Sequence, residues 1–175
     1  MLIRRLVPAD AASYQRLRLR GLRAHPEAFT SAHEEVARQP LSTPETRLAS
    51  PDEKVWGAFV NGTLVGMIGL NHETRLQNRH KATLVGMYVA EESAGRGLGL
   101  ALVATVLREA RDSAVCLIVL TVTEGNQAAL ALYSRAGFAA FGTEPDAVRV
   151  NGVSRSKIHM ALQLPCAAPA LDPSR

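Results

Sequence analysis

One stretch constrains this chain more than any other: residues 85–107, VGMYVAEESAGRGLGLALVATVL. Leu84 to Val89 is a β-forming run, and Glu91, Glu92 and Ser93 break it. Gly95, Gly97 and Gly99 then fall at alternate positions. Leu98, Leu102, Val103, Val106, Leu107 and Ala110 follow at helical spacing. The stretch therefore reads as strand, turn, glycine loop and helix. The first turn of a helix has free backbone N–H groups, and the helix dipole adds partial positive charge there. Glycines let that backbone approach an anion with no Cβ in the way. The loop around Gly95, Arg96, Gly97, Leu98 and Gly99 is thus a candidate phosphate or pyrophosphate cradle. A tight strand-to-helix turn that binds nothing is the plainer alternative.

Two familiar phosphate loops do not fit. A dinucleotide fingerprint needs glycine at its sixth position, where Leu100 or Leu102 stands. A P-loop needs Gly-Lys-Ser/Thr, and the loop has no lysine. Ala94-Gly95-Arg96-Gly97-Leu98-Gly99 instead resembles the acyl-CoA loop of the GNAT superfamily of N-acetyltransferases, Arg/Gln-x-x-Gly-x-Gly/Ala. Ala94 departs from it by standing where the family usually has Arg or Gln. Asn126 to Phe138, NQAALALYSRAGF, is similar to a second signature of that family, Asn-x-x-Ala-x-x-x-Tyr-x-x-x-Gly-Phe, with every fixed position filled. The resemblance covers roughly residues 1–164.

The resemblance implies an acetyl-CoA-dependent N-acetyltransferase acting on a primary amine of a small molecule or peptide by direct attack on the thioester. A non-catalytic acyl-CoA-binding regulatory module is the alternative, motivated by Ala94 and a missing glutamate. By resemblance, the strand edge at Met87, Tyr88 and Val89 pairs with the pantetheine arm, and the amide of Val89 or its neighbour serves as oxyanion donor. Asn126 contacts the same arm. Tyr133, two helical turns past Asn126, is the candidate general acid: a phenol with pKa about 10 keeps its proton at neutrality. In several family members a glutamate acts as base. The aligned position here is Thr83, which cannot, so Glu73, His72, His80, Glu34 and Glu35 stay open beside a route with no side-chain base. The family's acceptor pocket corresponds to about His25–Glu35 and Pro145–Lys157. There Glu27, Glu34 and Glu35 suit a cationic acceptor, and Arg149, Arg155 and Lys157 an acidic one. A homodimer is common in the family, and no metal is implied.

Length and composition agree with this class. A chain of 175 residues suits one domain, here 1–164, followed by a proline-containing tail, 165–175, read as disordered. The net charge of +4 suits an anionic ligand, but the basic residues are spread out, against nucleic-acid binding. The longest apolar run, Ala114 to Leu120, is too short to span a bilayer, so no membrane partner is expected. With two cysteines, Cys116 in an apolar run and Cys166 in the tail, no disulfide framework is expected, as suits a reducing cytoplasm.

The remaining elements follow from periodicity and punctuation. Strands are expected at Leu2–Val7, Val55–Val60, Thr63–His72, Lys81–Val89, Val115–Thr123, Phe138–Thr143 and Ser156–Leu164. Helices are expected at Ala11–Arg23 with Asp10 as N-cap, at Ala32–Ala37, through the glycine-loop helix, and at Asn126–Ala136 ending at Gly137, with a further turn or two at Pro44–Ser50. Asn61-Gly62 and Asn151-Gly152 mark hairpin turns. The fold class is α/β (α+β), a GNAT-like mixed sheet with helices on both faces, in the order β-α-α-β-β-β-α-β-α-β-β.

Overall fold

The structure, a computed structural model, describes residues 1–166. Seven strands form one sheet in the spatial order β1-β2-β3-β4-β5-β7-β6. In sequence they are β1 (Leu2–Arg5), β2 (Glu53–Val60), β3 (Thr63–His72), β4 (Lys81–Val89), β5 (Leu117–Thr123), β6 (Ala139–Val150) and β7 (Val153–Gln163). The helices are α1 (Ala11–Ala24), α2 (His33–Ala37), α3 (Ser42–Ala49), α4 (Leu98–Arg111) and α5 (Gln127–Arg135). All neighbouring strands are antiparallel except β4 and β5, which α4 connects. Helices cover both faces. A Cβ on Gly66 of β3 would meet Leu102 of α4, whereas one on Gly69 would approach Arg47 of α3 from the other side.

Local chemistry accounts for most of these elements. The turn at Asn61-Gly62 has both residues at positive φ, 49° and 78°, as the tight hairpin turn requires. Along α1, Ala11, Tyr14, Leu17, Gly21 and Leu22 are buried at helical spacing. Gly21 is there for contact: a Cβ would lie 2.9 Å from Cγ of Tyr88. Leu98, Leu102, Val103, Val106, Leu107 and Ala110 make the buried stripe of α4.

Four expectations need correction. Asp10 sits at the N-cap of α1, but its side chain makes no capping bond. It turns back to accept from both Nη atoms of Arg4 at 2.7 and 2.8 Å, and from Val7 N–H at 2.9 Å. A bidentate charged pair outweighs one neutral cap bond. Second, β5 is not buried on both faces: Val119 is half-buried and Thr121 exposed, because its sheet neighbour leaves it, as described below. Third, β6 runs past Thr143 to Val150, with register shifts at Ala140/Gly142 and Glu144/Val148. It is an edge strand and mostly exposed, so no hydrophobic alternation marks it in the sequence. Fourth, Cys116 is half-buried and forms a disulfide with Cys166, with Cα atoms 5.0 Å apart. The pairing of β5 with β7 carries both cysteines together: Leu117 faces Gln163, and Leu164 N–H donates to Cys116 O at 2.8 Å. With both cysteines paired, cysteine usage no longer points to a reducing compartment. The tail read as disordered lies outside the described residues apart from Pro165 and Cys166.

Candidate active site

The site begins where the sheet parts. Strands β4 and β5 are registered only at Lys81–Leu117, Ala82–Ile118 and Thr83–Val119. Beyond Thr83, β4 continues to Val89 and β5 to Thr123 without pairing. A bulge follows in the unpaired stretch: Gly86 and Met87 of β4 both stand opposite the single Ile68, with Gly86 at φ 61°. A stretch of β4 edge is left open. Ala90 N–H donates to Val65 O on the β3 side at 2.8 Å. Amides alternate in direction along a strand, so Val89 N–H points to the open edge.

Two connected clefts flank this opening. The outer one, about 930 Å³, is lined by Met87, Tyr88 and Val89, by the loop residues 93–95 and 97–100, and by Asn126 with Ala129, Leu132 and Arg135 of α5. The inner one, about 510 Å³, is lined by Thr83 to Met87 of β4, Val119 to Thr123 of β5, Tyr133, and Arg18, Arg47, Asn71, Lys157 and His159. Ala28, Phe29, Met87, Thr123, Asn126, Ala129 and Leu132 belong to both. The segment after α1 is pinned across the junction: Thr123 Oγ1 donates to Glu27 O at 2.6 Å, and Lys157 Nζ to Thr30 Oγ1 at 2.7 Å.

The glycine loop has the form a cradle needs. Gly95 and Gly97 both sit at φ 73°, left-handed backbone that glycine adopts at least cost, with open space where a Cβ would be. Gly99 is required for space: its Cβ would lie 3.0 Å from Met87 Cε and 3.4 Å from Leu132 Cδ2. Ala101 N–H makes the first helical bond, to Gly97 O at 3.0 Å, so the amides before it have no partner further back in α4. Arg96 is exposed and does not line the outer cleft, unlike the four other loop residues named from sequence.

Asn126 caps α5, its Oδ1 accepting from Ala129 N–H at 3.1 Å, and lines both clefts. Tyr133 is 5% exposed, packs edge-to-face on Phe138 at 5.8 Å and lines the inner cleft. Burial pushes its phenol well above the ordinary value. Burial also raises Tyr88, which lines the outer cleft and whose ring lies beside His25, 6.2 Å between centroids.

The candidate bases do not gather here. Glu73, His72, His80, Glu34 and Glu35 line neither cleft. Glu35 instead accepts from Ala32 N–H at 3.0 Å, closing the start of α2, and His72 Nδ1 lies 3.2 Å from Asp52 O. Thr83 does line the inner cleft. Of the acceptor-pocket charges, Glu27 and Arg155 line the outer cleft and Lys157 the inner, while Arg149 is turned onto Asp146. Sequence reasoning missed Arg18, Arg47, Asn71 and His159. One signal was available for Arg18: four residues after Tyr14 and three before Gly21, it is a cation on the buried stripe of α1. His159 Nε2 lies 2.9 Å from Glu144 Oε2 across the β6–β7 pair, a neighbour that only the fold brings near.

Comparison with known proteins agrees with this geometry. Residues 19–138 match the model of the Acetyltransferase (GNAT) family. Over 106 residues the chain is 38% identical to the N-alpha-acetyltransferase RimI of Mycobacterium tuberculosis, a match spanning 60% of this chain and 64% of that relative. The ribosomal-protein-alanine N-acetyltransferase of Brucella melitensis has the same fold, with TM-score 0.82 over 94% of this chain and 100% of that one at 24% identity. YncA of Salmonella typhimurium, solved with its cofactor acetyl-CoA, superposes with TM-score 0.80 at 22% identity, covering 98% of each chain.

Proposed function

The chain belongs to the GNAT acetyltransferase family, and from that premise we propose that it transfers the acetyl group of acetyl-CoA to a primary amine of a small molecule or peptide. The observation that carries this reading is the parting of β4 from β5 beside the glycine loop. It leaves an open strand edge between an anion cradle and a buried tyrosine. The relative named an N-alpha-acetyltransferase supports an amine acceptor, and the neighbour solved with acetyl-CoA supports the acyl donor.

In this reading the amides of the Gly95–Gly99 loop hold the pyrophosphate at the start of α4. The β4 edge at Met87 to Val89 pairs with the amide-bearing pantetheine arm as an added strand would, and Asn126 lies along the same path. Acetyl-CoA supplies an activated thioester carbonyl. Val89 N–H is the donor for the oxygen that gains charge when the amine nitrogen attacks that carbon. As the C–S bond breaks, Tyr133 gives its phenolic proton to the departing sulfur. The nitrogen sheds one proton on becoming an amide. His159, held by Glu144, is the imidazole of the inner cleft and receives that proton. Solvent then returns a proton to Tyr133 and takes one from His159, so the balance closes.

Calorimetric titration with acetyl-CoA, against NAD and ATP as controls, tests the donor site. Micromolar binding of acetyl-CoA alone, about −8 kcal/mol, is expected; no binding would sink the reading. CoA release over an amine panel then separates an enzyme from a non-catalytic acyl-CoA-binding module, which would bind acetyl-CoA and turn over nothing.

A further inference from the structure

The inner cleft carries a charge pattern that the acetyl-transfer chemistry does not itself demand. Arg18, Arg47 and Lys157 line it, and among the described residues no aspartate or glutamate does. The three cations converge. Arg18 Nη1 lies 3.8 Å from the point where a Gly86 Cβ would be, and Arg47 Nη2 lies 3.7 Å from the corresponding point at Gly69. Gly69 is registered with Val85, the neighbour of Gly86, so the two guanidinium groups lie over adjacent backbone of β3 and β4. Arg18 Nη2 and Lys157 Nζ are held by consecutive residues, Ser31 Oγ at 3.2 Å and Thr30 Oγ1 at 2.7 Å. Lys157 is 8% exposed. Among the described residues neither Lys157 nor Arg18 has a carboxylate within ion-pair distance. Arg47 has one, Glu53, at 3.5 Å from Nε, and that carboxylate is half exposed outside the cleft.

A second observation points the same way. Two buried side-chain polar atoms of the described residues lack a hydrogen-bond partner, Arg47 Nε and Asn71 Oδ1, and both residues line this cleft. Buried polar groups are normally paired, and an exception calls for an explanation, an ordered water or a bound ligand being the usual ones. Arg47 Nε faces the Glu53 carboxylate at 3.5 Å, so Asn71 Oδ1 is the group left open, an acceptor that suits a ligand carrying an N–H donor beside its anion. A purely cationic amine would enter against three positive charges. A molecule with its own carboxylate would offset one of these charges, and the remaining positive charge would favour loss of the ammonium proton, which attack requires.

We propose that the inner cleft selects an acceptor amine bearing its own carboxylate, a small amino acid, with Arg18, Arg47 and Lys157 binding the carboxylate and Asn71 accepting from the amino group. This rests on the acetyltransferase reading above and narrows its substrate class. The test is CoA release from acetyl-CoA with a panel of free amino acids, each beside its α-amide and its decarboxylated amine, and a set of short peptides. Free acids should exceed their amides in kcat/KM by on the order of tenfold or more. Arg47→Gln and Arg18→Gln should erase that ratio while leaving acetyl-CoA affinity unchanged, and Arg47→Lys should keep part of it. The ratio in the unaltered protein is decisive even where a variant fails to fold. Equal or better turnover of amides, decarboxylated amines or peptides overturns the proposal and leaves the acetyltransferase reading standing. So does acetyl-CoA binding with no acid acetylated. Failure to bind acetyl-CoA at all overturns both.

Discussion

Tyr133 combines deep burial with a place on the inner cleft, and this fixes its protonation. Desolvation disfavours the phenolate, so the raised pKa keeps the acid form present throughout the neutral and mildly alkaline range. Tyr133→Phe should lower kcat by about 10²–10⁴-fold, the usual worth of a positioned acid, with little change in acetyl-CoA affinity. An unchanged kcat would remove it from the reaction. In the unaltered protein the pH–rate profile should show no alkaline limb from this tyrosine below about pH 10, since its pKa moves up from the ordinary value. Asp10 shows the opposite shift. The hydrogen bonds from Arg4 hold its carboxyl below the ordinary value. Its contribution to stability is therefore complete above about pH 4 and is lost as pH falls through the lowered folded-state value. Asp10→Ala should cost about 1 kcal/mol at neutrality, at the modest end because Arg4 is 40% exposed and solvent screens the pair. Urea unfolding at pH 7 and at pH 3 checks both sign and size: the variant's deficit should shrink at the lower pH.

At the scale of elements, the glycine loop and α4 act as one device. The loop reaches α4 through left-handed backbone at Gly95 and Gly97, and the first free amides of the helix open onto the outer cleft. Gly97→Ala meets no atom, so its cost is conformational, about 1–2 kcal/mol of left-handed strain. Gly99→Leu is different in kind: its side chain would be driven into Met87 and Leu132, closing the cleft from within. The expected outcome is a lower midpoint with residual acetyl-CoA binding for Gly97→Ala, and lost binding in a folded protein for Gly99→Leu. Thermal unfolding beside titration separates the two. The bulge at Gly86 is the partner device on β4, placed in the stretch of that strand that β5 leaves unpaired.

For the molecule as a whole, one sheet carries everything: the core spans its helices and strands, and the clefts open where the single parallel pairing gives out. The disulfide between Cys116 and Cys166 joins the segment leading into β5 to the end of β7, across 50 residues of chain. Closing a loop of that length restricts the unfolded chain, and its reduction should lower stability by about 2–4 kcal/mol. Unfolding with and without a reductant, beside Cys116→Ser, measures this. A variant insensitive to reductant with a midpoint equal to that of the reduced protein is the expected result. Acetyl-CoA binding should survive reduction, because neither cysteine lines a cleft. No helix among the described residues is long and apolar enough to cross a membrane.

Much of the site was legible because its parts are local. The alternate glycines, the stripe of α4, and Asn126 and Tyr133 on one helix are close-range patterns, set by backbone conformation and helical period, and β3 and β4 end where periodicity places them. Family resemblance then assigned those parts to an acyl-CoA site. The acceptor side was not legible in the same way. Arg18, Arg47, Asn71, and the pair Lys157 and His159 come from four separate elements, α1, α3, β3 and β7, and only the packing of α1 and α3 over the sheet makes them neighbours. The same holds for the open face of β5, for Asp10 turning to Arg4, and for the paired cysteines. Period and punctuation report which face of an element is buried. They carry no information on which distant residue arrives there, because that is decided by shape and charge only once the layers have packed.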